Sequence, residues 1–362
     1  MKHQTLLAGL VLACATAQPA LAHEDDATAP HAKDHAPIGV MGDHRHGKGG
    51  WMLSYRYMRM EMEGNRDGTD TLSPDEIATA VPNRFAGQPM MPPTLRVVPE
   101  DMTMNMHMAG VMYGLTDRVT LMGMVNWLSS EMTHITYQGG MGTDRLGRFT
   151  AESEGFGDSS VTAIIGLDDG SDPDRQINLN IGVSIPTGSI DETSEVLSPM
   201  NMRPTLRMPY AMQLGSGTWD IKPALTLRQH AGQWSFGAQG GATIRLDEND
   251  EGYSLGDRYE ATAWAAFEPQ PWISVSGRLK AVTQGKIDGI DPAIMAPVQS
   301  ADPDNYGGDT LEALAGVNLV GQSGALHGQR LAFELGLPLY RDLNGPQLET
   351  DLTLTVGWQK AW

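Results

Sequence analysis

From Trp51 onward, apolar and polar residues alternate in segments of about ten, the spacing that sends successive side chains to opposite faces of a β-strand. Ile177, Leu179, Ile181, Val183 and Ile185 alternate with Asn178, Asn180, Gly182 and Ser184. Trp219, Ile221, Leu225 and Leu227 stand against Asp220, Lys222, Thr226 and Arg228, and Leu331, Phe333, Leu335, Leu337 and Leu339 against Glu334 and Gly336. A soluble sandwich with one wet face and a membrane barrel with a polar lumen both produce this alternation.

The last segment separates the two. Leu352, Leu354, Val356 and Trp358 alternate with Asp351, Thr353, Thr355 and Gly357 and the chain closes on Trp362, an amphipathic final strand of the kind that ends outer-membrane barrels. The pattern therefore predicts an all-β fold, a transmembrane antiparallel up-and-down β-barrel of about 12 strands. They fall near 51–61, 102–113, 119–129, 156–167, 177–189, 219–229, 234–246, 258–267, 272–283, 309–320, 330–340 and 350–362. Connections 114–118, 230–233 and 268–271 are short, whereas 62–101, 190–218 and 284–308 are long. Short turns belong on the periplasmic side and long loops outside. Trp51, Tyr57, Tyr113, Trp127, Trp234, Tyr259, Phe267, Trp272 and Trp358 fall near strand ends, where amphipathic rings sit at the headgroup level. In the first long loop, Ser73-Pro74-Asp75-Glu76 spells a helix start over about 74–80, with Ser73 as N-cap and Glu76 closing a capping box.

Ahead of the strands, Met1-Lys2 and an apolar run from Leu6 to Ala15 lead to Ala20-Leu21-Ala22. This is the layout of a cleavable export signal over residues 1–22, and its loss would remove Cys14, the only cysteine. No later apolar run approaches the roughly 18 to 20 residues a spanning helix needs. With 25 Lys and Arg against 44 Asp and Glu, a formal net charge of −19 excludes nucleic acid as a partner, because its binding rests on surplus positive charge. Partners expected instead are outer-membrane lipid and lipopolysaccharide, the barrel assembly machinery through the strand ending in Trp362, and small solutes.

Two compositional anomalies carry candidate chemistry. Residues 23–50 form a His-rich segment read as periplasmic, with His23, His31, His35, His44 and His46. Imidazole suits copper, zinc and nickel, and a flexible His/Asp tract can gather several donors; a solvated linker is the plainer reading. Methionine is the second, with 22 residues, whose thioethers are soft donors for Cu(I) or flexible apolar filler. Alternation turns Met52, Met58, Met122 and Met124 into the lumen. On the second strand, where Met102, Met104, Met106 and Met108 oppose Thr103, Asn105 and His107, it expects methionine to face lipid. The metal candidates are thus His23, His31, His35, His44, His46, Met52 and Met58, with copper as the possible cofactor. By the same alternation Arg56, Lys222, Arg228, Arg245, Glu260, Arg278, Lys280, Glu312 and Glu334 point into the lumen. Gly157-Asp158-Ser159 lacks the spacing of a hydrolase nucleophile elbow, and no catalytic constellation is found; the chain reads as a non-enzyme.

The stretches APIGVMGDHRHGKGGWMLSYRYM (36–58), GLTDRVTLM (114–122), GFGDSSV (155–161), GSGTWD (215–220) and GPQLETDLTLTVGW (345–358) resemble the outer-membrane transporter family named for the MetA-pathway of phenol degradation. The resemblance implies aromatic solutes and supplies no functional residues. A His/Met-rich leader before a barrel also looks like outer-membrane copper-resistance proteins. The leading expectation is an outer-membrane channel or transporter for small solutes, substrate unassigned. The alternative is a copper-binding or other soft-metal envelope protein whose barrel serves as anchor.

Overall fold

The computed structural model describes residues 30–168 and 171–362; the leader and His23 lie outside the described residues. The wall is built from β1 (Trp51–Gly68), β2 (Val97–Thr116), β3 (Val119–Tyr137), β4 (Arg145–Phe156), β5 (Ser159–Gly166) and β6 (Arg175–Ile185). It continues through β7 (Asp220–Ala231), β8 (Trp234–Arg245), β9 (Arg258–Gln270), β10 (Ile273–Gln284), β11 (Gly308–Val320) and β12 (Gln329–Ala361). Each strand pairs antiparallel with its neighbour in sequence, except that β4 and β5 both pair with β3, one on its outer and one on its inner half. β12 reverses near Gly345, whose φ of +71° suits glycine. Its first arm pairs with β11 and its second with β1, which closes the cylinder. Eleven continuous strands form the ring, and the doubling of the last gives the wall twelve passes. Trp51 and Trp362 exchange backbone hydrogen bonds of 2.9 and 3.0 Å across the seam. Among the described residues the eleven-strand ring has no unpaired edge, the condition for a sheet to stand in lipid.

The faces follow the alternation. Ile181, Leu225, Leu227, Leu279, Leu335, Leu337 and Leu339 are exposed on the outside, with Trp51, Trp219, Trp234, Tyr259, Trp272 and Trp358 among the exposed aromatics. A belt of this breadth is covered only by lipid. Asn178, Asn180, Ser184, Thr226 and Arg228 are buried on the opposite face.

Three sequence expectations are corrected here. Arg145–Phe156 is a strand that the alternation placed in a loop; its Arg, Thr, Glu and Ser positions continue the wall beyond the lipid belt, where the outer face no longer needs to be apolar. The gap expected at 341–349 is instead a tight reversal inside β12. The third concerns methionine. Met62↔Met102, Met60↔Met104, Met58↔Met106 and Met52↔Met112 are directly opposed on β1 and β2, and opposed residues share a face. Met52 and Met112 are buried, so the even-numbered methionines of β2 line the interior and do not face lipid. Outside, Asn105 and His107 are satisfied by tyrosines: Tyr57 Oη donates to Asn105 Oδ1 at 2.7 Å, and Tyr55 Oη pairs with His107 Nδ1 at 2.7 Å.

The capping box forms as read. The α-helix Pro74–Ala80 has Glu76 N–H donating to Ser73 Oγ and Ser73 N–H donating to Glu76 Oε2, and it buries Ile77 and Ala78. At this long-loop end Arg96, fully buried, donates to the carbonyls of Ala78, Gln138, Gly139, Met141 and Gly142, tying the helix to the β3–β4 loop. Met208, Tyr210, Met212, Tyr253, Ile287, Ile294 and Val298 pack into one apolar cluster with Met102 and Met132. The long loops thus form a cap over the barrel mouth.

Candidate functional site: a plugged, methionine-lined lumen

A barrel of about eight strands is narrow enough for side chains alone to fill, and interior width grows with strand number. Twelve passes therefore leave space, and residues 30–50 occupy much of it. The segment enters beside the β9–β10 turn, where Ala32 N–H donates to Pro271 O at 2.8 Å and His31 Nδ1 lies 2.8 Å from Glu268 Oε1. It rises to an apex at Ile38–Met41 and returns to the β2–β3 turn, where Gly49 N–H donates to Gly114 O and Lys48 N–H to Asp117 Oδ1. The expectation of a periplasmic segment or solvated linker is thereby corrected for residues 30–50. Their backbone satisfies the polar side chains that alternation sends inward: Asn178 Nδ2 donates to Asp43 O, Asn180 Nδ2 to Gly42 O, Gln239 Nε2 to Met41 O and Asn318 Nδ2 to His35 O. Composition alone hides this, because the partners are side chains spread over the whole wall.

The nine charged lumen candidates all lie on the inner face. Arg278 and Glu334 form a bidentate pair at 2.7 and 2.9 Å, and Glu334 Oε2 also accepts from Gly39 N–H at 2.9 Å. A Cβ on Gly39 would stand 2.3 Å from Arg278 Nη2, so glycine is what lets the apex approach this pair. Arg228 is held by the Asp34 carbonyl and by Gln176. Lys280 pairs with Glu312, Arg245 with Asp220 and Glu260 with Arg258. Arg56 is buried, and Lys222 lines an inner cavity. Sequence reasoning missed Arg330, buried and bonded to Ala36 O, Asn318 and Gln359, although its parity with Glu334 was a usable signal. It also missed Trp264, which packs on Ala36 and Val40.

Among the described residues, an upper and a lower chamber stand open in the lumen. The upper, of about 340 Å³, lies under the cap and is lined by Met60, Met62, Met102, Met132, Val282, Tyr306 and Leu348, with Lys280, Glu312 and Arg341 at one side. The lower, of about 220 Å³, is bounded by Met122, Met124, Lys222, Ala224 and Glu260 and floored by Gly39 and Met41 of the plug. Arg258 lines both. Cysteines replacing Lys222 and Lys280 should react with water-soluble thiol reagents, whereas cysteines at Ile181 and Leu335 on the lipid face should not. Equal labelling at all four positions would refute the register.

Of the metal candidates, His35 and His44 come together with Asp43, one ligand atom from each lying within 4.8 Å of the others. The His46 ring stands 5.1 Å from that of His44. Burial, with Arg330 nearby, holds His35 well below the ordinary imidazole range, and burial lowers His46 to about 4. His31 is apart, engaged with Glu268. Met52 packs with Met112 and Ile164, and Met58 lies between Met106 and Thr355.

A closed antiparallel cylinder with an apolar exterior, a charged interior and an inserted plug is the architecture of an outer-membrane channel. The sequence matches the family described as "Putative MetA-pathway of phenol degradation" over residues 110–305, and the chain belongs to that family. Its fold is similar to that of the COG4313 outer membrane channel from Pseudomonas putida F1, with a TM-score of 0.55 at 15% identity over 89% of this chain and 99% of that one. A weaker likeness is to the P. putida toluene transporter TodX, with a TM-score of 0.41 at 9% identity over 88% of this chain and 91% of that one. No curated protein sequence matches.

Proposed function

We propose that the protein is a passive outer-membrane channel for small, largely apolar solutes of the monoaromatic class, and that it holds them in the upper chamber before release past the plug. The observation that carries this reading is the chamber wall, in which the thioethers of Met60, Met62, Met102 and Met132, the Tyr306 ring, Val282 and Leu348 stand beside amides and the charged groups of Arg258, Lys280, Glu312 and Arg341. Methionine is polarizable, adapts its shape and makes favourable contacts with aromatic rings. An apolar cavity of about 150 Å³ accommodates benzene, so about 340 Å³ suffices for a substituted ring. The charged flank suits a hydroxyl or carboxyl substituent, which fits the phenol of the family description.

The same reading includes export by a leader over residues 1–22, contact of the apolar belt with lipid and lipopolysaccharide, and folding by the barrel assembly machinery through the strand that ends in Trp362.

Uptake of a radiolabelled phenol at low external concentration, by cells with and without the protein, tests the proposal. Cells with the protein should take it up several-fold faster. Met62→Trp, which fills the chamber while leaving the wall intact, should remove most of that advantage. Uptake unaffected by Met62→Trp at equal barrel abundance would place the solute path elsewhere.

A further inference from the structure

The plug carries a cluster that solute passage does not use. Its two legs are bridged where Asp43 Oδ2 accepts from Ala36 N–H at 2.9 Å. Asp43 Oδ1 lies 2.8 Å from His44 Nδ1. That contact fixes the His44 tautomer, with the proton on Nδ1 and the lone pair on Nε2. His44 is 8% exposed, and its Nε2 is buried without a hydrogen-bond partner. The same holds for His35 Nδ1 and His46 Nε2. The His44 ring sits between the other two, edge-on at 5.2 Å to His35 and 5.1 Å to His46.

Three imidazole nitrogens without partners are buried around the His44 ring, and His35, Asp43 and His44 each place one ligand atom within 4.8 Å of the others while His46 lies beyond that distance; such nitrogens are costly unless something accepts their lone pairs. A carboxylate behind one imidazole is the usual outer support of a metal-bound histidine. We propose that His35, His44 and His46 bind one divalent transition ion of the zinc or copper(II) type, with Asp43 orienting His44, and that the ion locks the two legs of the plug together.

Ligand nitrogens at about 2.0–2.1 Å from a tetrahedral ion lie about 3.3 Å apart; His35 and His44 start within 4.8 Å of each other and of Asp43, whereas the His46 imidazole has to turn in from beyond that distance as the ion binds. The donor set is imidazole throughout, which favours zinc and copper over calcium or magnesium. Methionine is not part of it. The ion therefore belongs to the plug and not to the solute path.

The test uses the full-length mature protein without an affinity tag, folded in detergent and stripped with chelator. Co(II), a zinc surrogate with visible absorption, and Zn(II) are titrated, and bound metal is counted by mass spectrometry. One equivalent is expected, with tetrahedral Co(II) absorption displaced by zinc. His35→Ala and His44→Ala should abolish that equivalent, and Asp43→Asn and His46→Ala should weaken it about 10- to 100-fold. His23→Ala and His31→Ala should leave it unchanged. Failure of the folded, heat-modifiable wild-type protein to bind either ion overturns the proposal without recourse to any variant. Retention of the equivalent by a folded His35→Ala/His44→Ala protein, or its loss on His23→Ala, overturns it as well by placing the ion elsewhere. Phenol uptake is read separately, so a protein that binds no ion can still be a channel.

Discussion

Deleting residues 30–46 should turn an occluded barrel into a conducting pore, with single-channel conductance in planar bilayers rising roughly tenfold or more, as expected when a constriction gives way to a water-filled lumen. The wall does not depend on the plug for closure: its hydrogen-bond ring runs strand to strand and is completed by β12 against β1. Apart from Trp264, which loses Ala36 and Val40, the wall side chains that lose partners are polar. Asn178, Asn180, Gln239, Asn318, Arg228 and Arg330 give up plug carbonyls, but water enters as the segment leaves and replaces those acceptors, so the loss per group is far below that of a polar group stranded in a dry core. The variant should therefore remain heat-modifiable on gels. Cysteines at Arg228 and Arg330, shielded while the plug is present, should then label with water-soluble reagents. A correctly folded deletion protein with unchanged conductance would mean that the cap, and not the plug, closes the lumen.

The barrel was legible in the sequence because lipid forces it to be. Ile181, Leu225 and Leu335 must alternate with inward residues or the wall cannot stand in a membrane, and that constraint acts on every strand independently. Where lipid ceases to act, legibility ceased as well: Arg145–Phe156 extends the wall beyond the apolar belt, and its outer face, with Arg148, Thr150, Glu152 and Glu154, is polar. The methionines of β2 were misassigned for a related reason. Thr103, Asn105 and His107 look like lumen residues by polarity. The pairing of His107 with Tyr55 and of Asn105 with Tyr57 across β1, which makes both tolerable outside, is a cross-strand fact that no single segment contains. The plug is the extreme case. Residues 30–50 have neither apolar period nor helix signal, and their order comes from polar side chains on nearly every strand. Only the cluster of histidines marked the segment, and only the fold separated His35, His44 and His46 from His31, Met52 and Met58.

Glu334→Ala should be the most damaging single substitution in the wall. Glu334 and Arg278 are 2% and 6% exposed, and the carboxylate also receives the apex of the plug through Gly39 N–H. Breaking a buried pair from one side leaves the other charge uncompensated and costs about 3–5 kcal/mol, whereas replacing both partners with apolar groups of similar volume is close to neutral. Glu334→Ala should thus lower the denaturant midpoint of the barrel in lipid vesicles by an amount equivalent to about 3–5 kcal/mol. The double variant Arg278→Met/Glu334→Leu should recover most of it, since neither charge remains to be buried. The plug should respond differently from the wall. Both variants remove the acceptor of Gly39 N–H, so both should raise the frequency of open-state conductance, even though only the single variant is strongly destabilised. Equal destabilisation of the single and double variants would show that packing around Glu334, and not the buried charge of Arg278, is what the wall requires at that position. An unchanged open frequency in both would show that the Glu334 contact does not hold the apex.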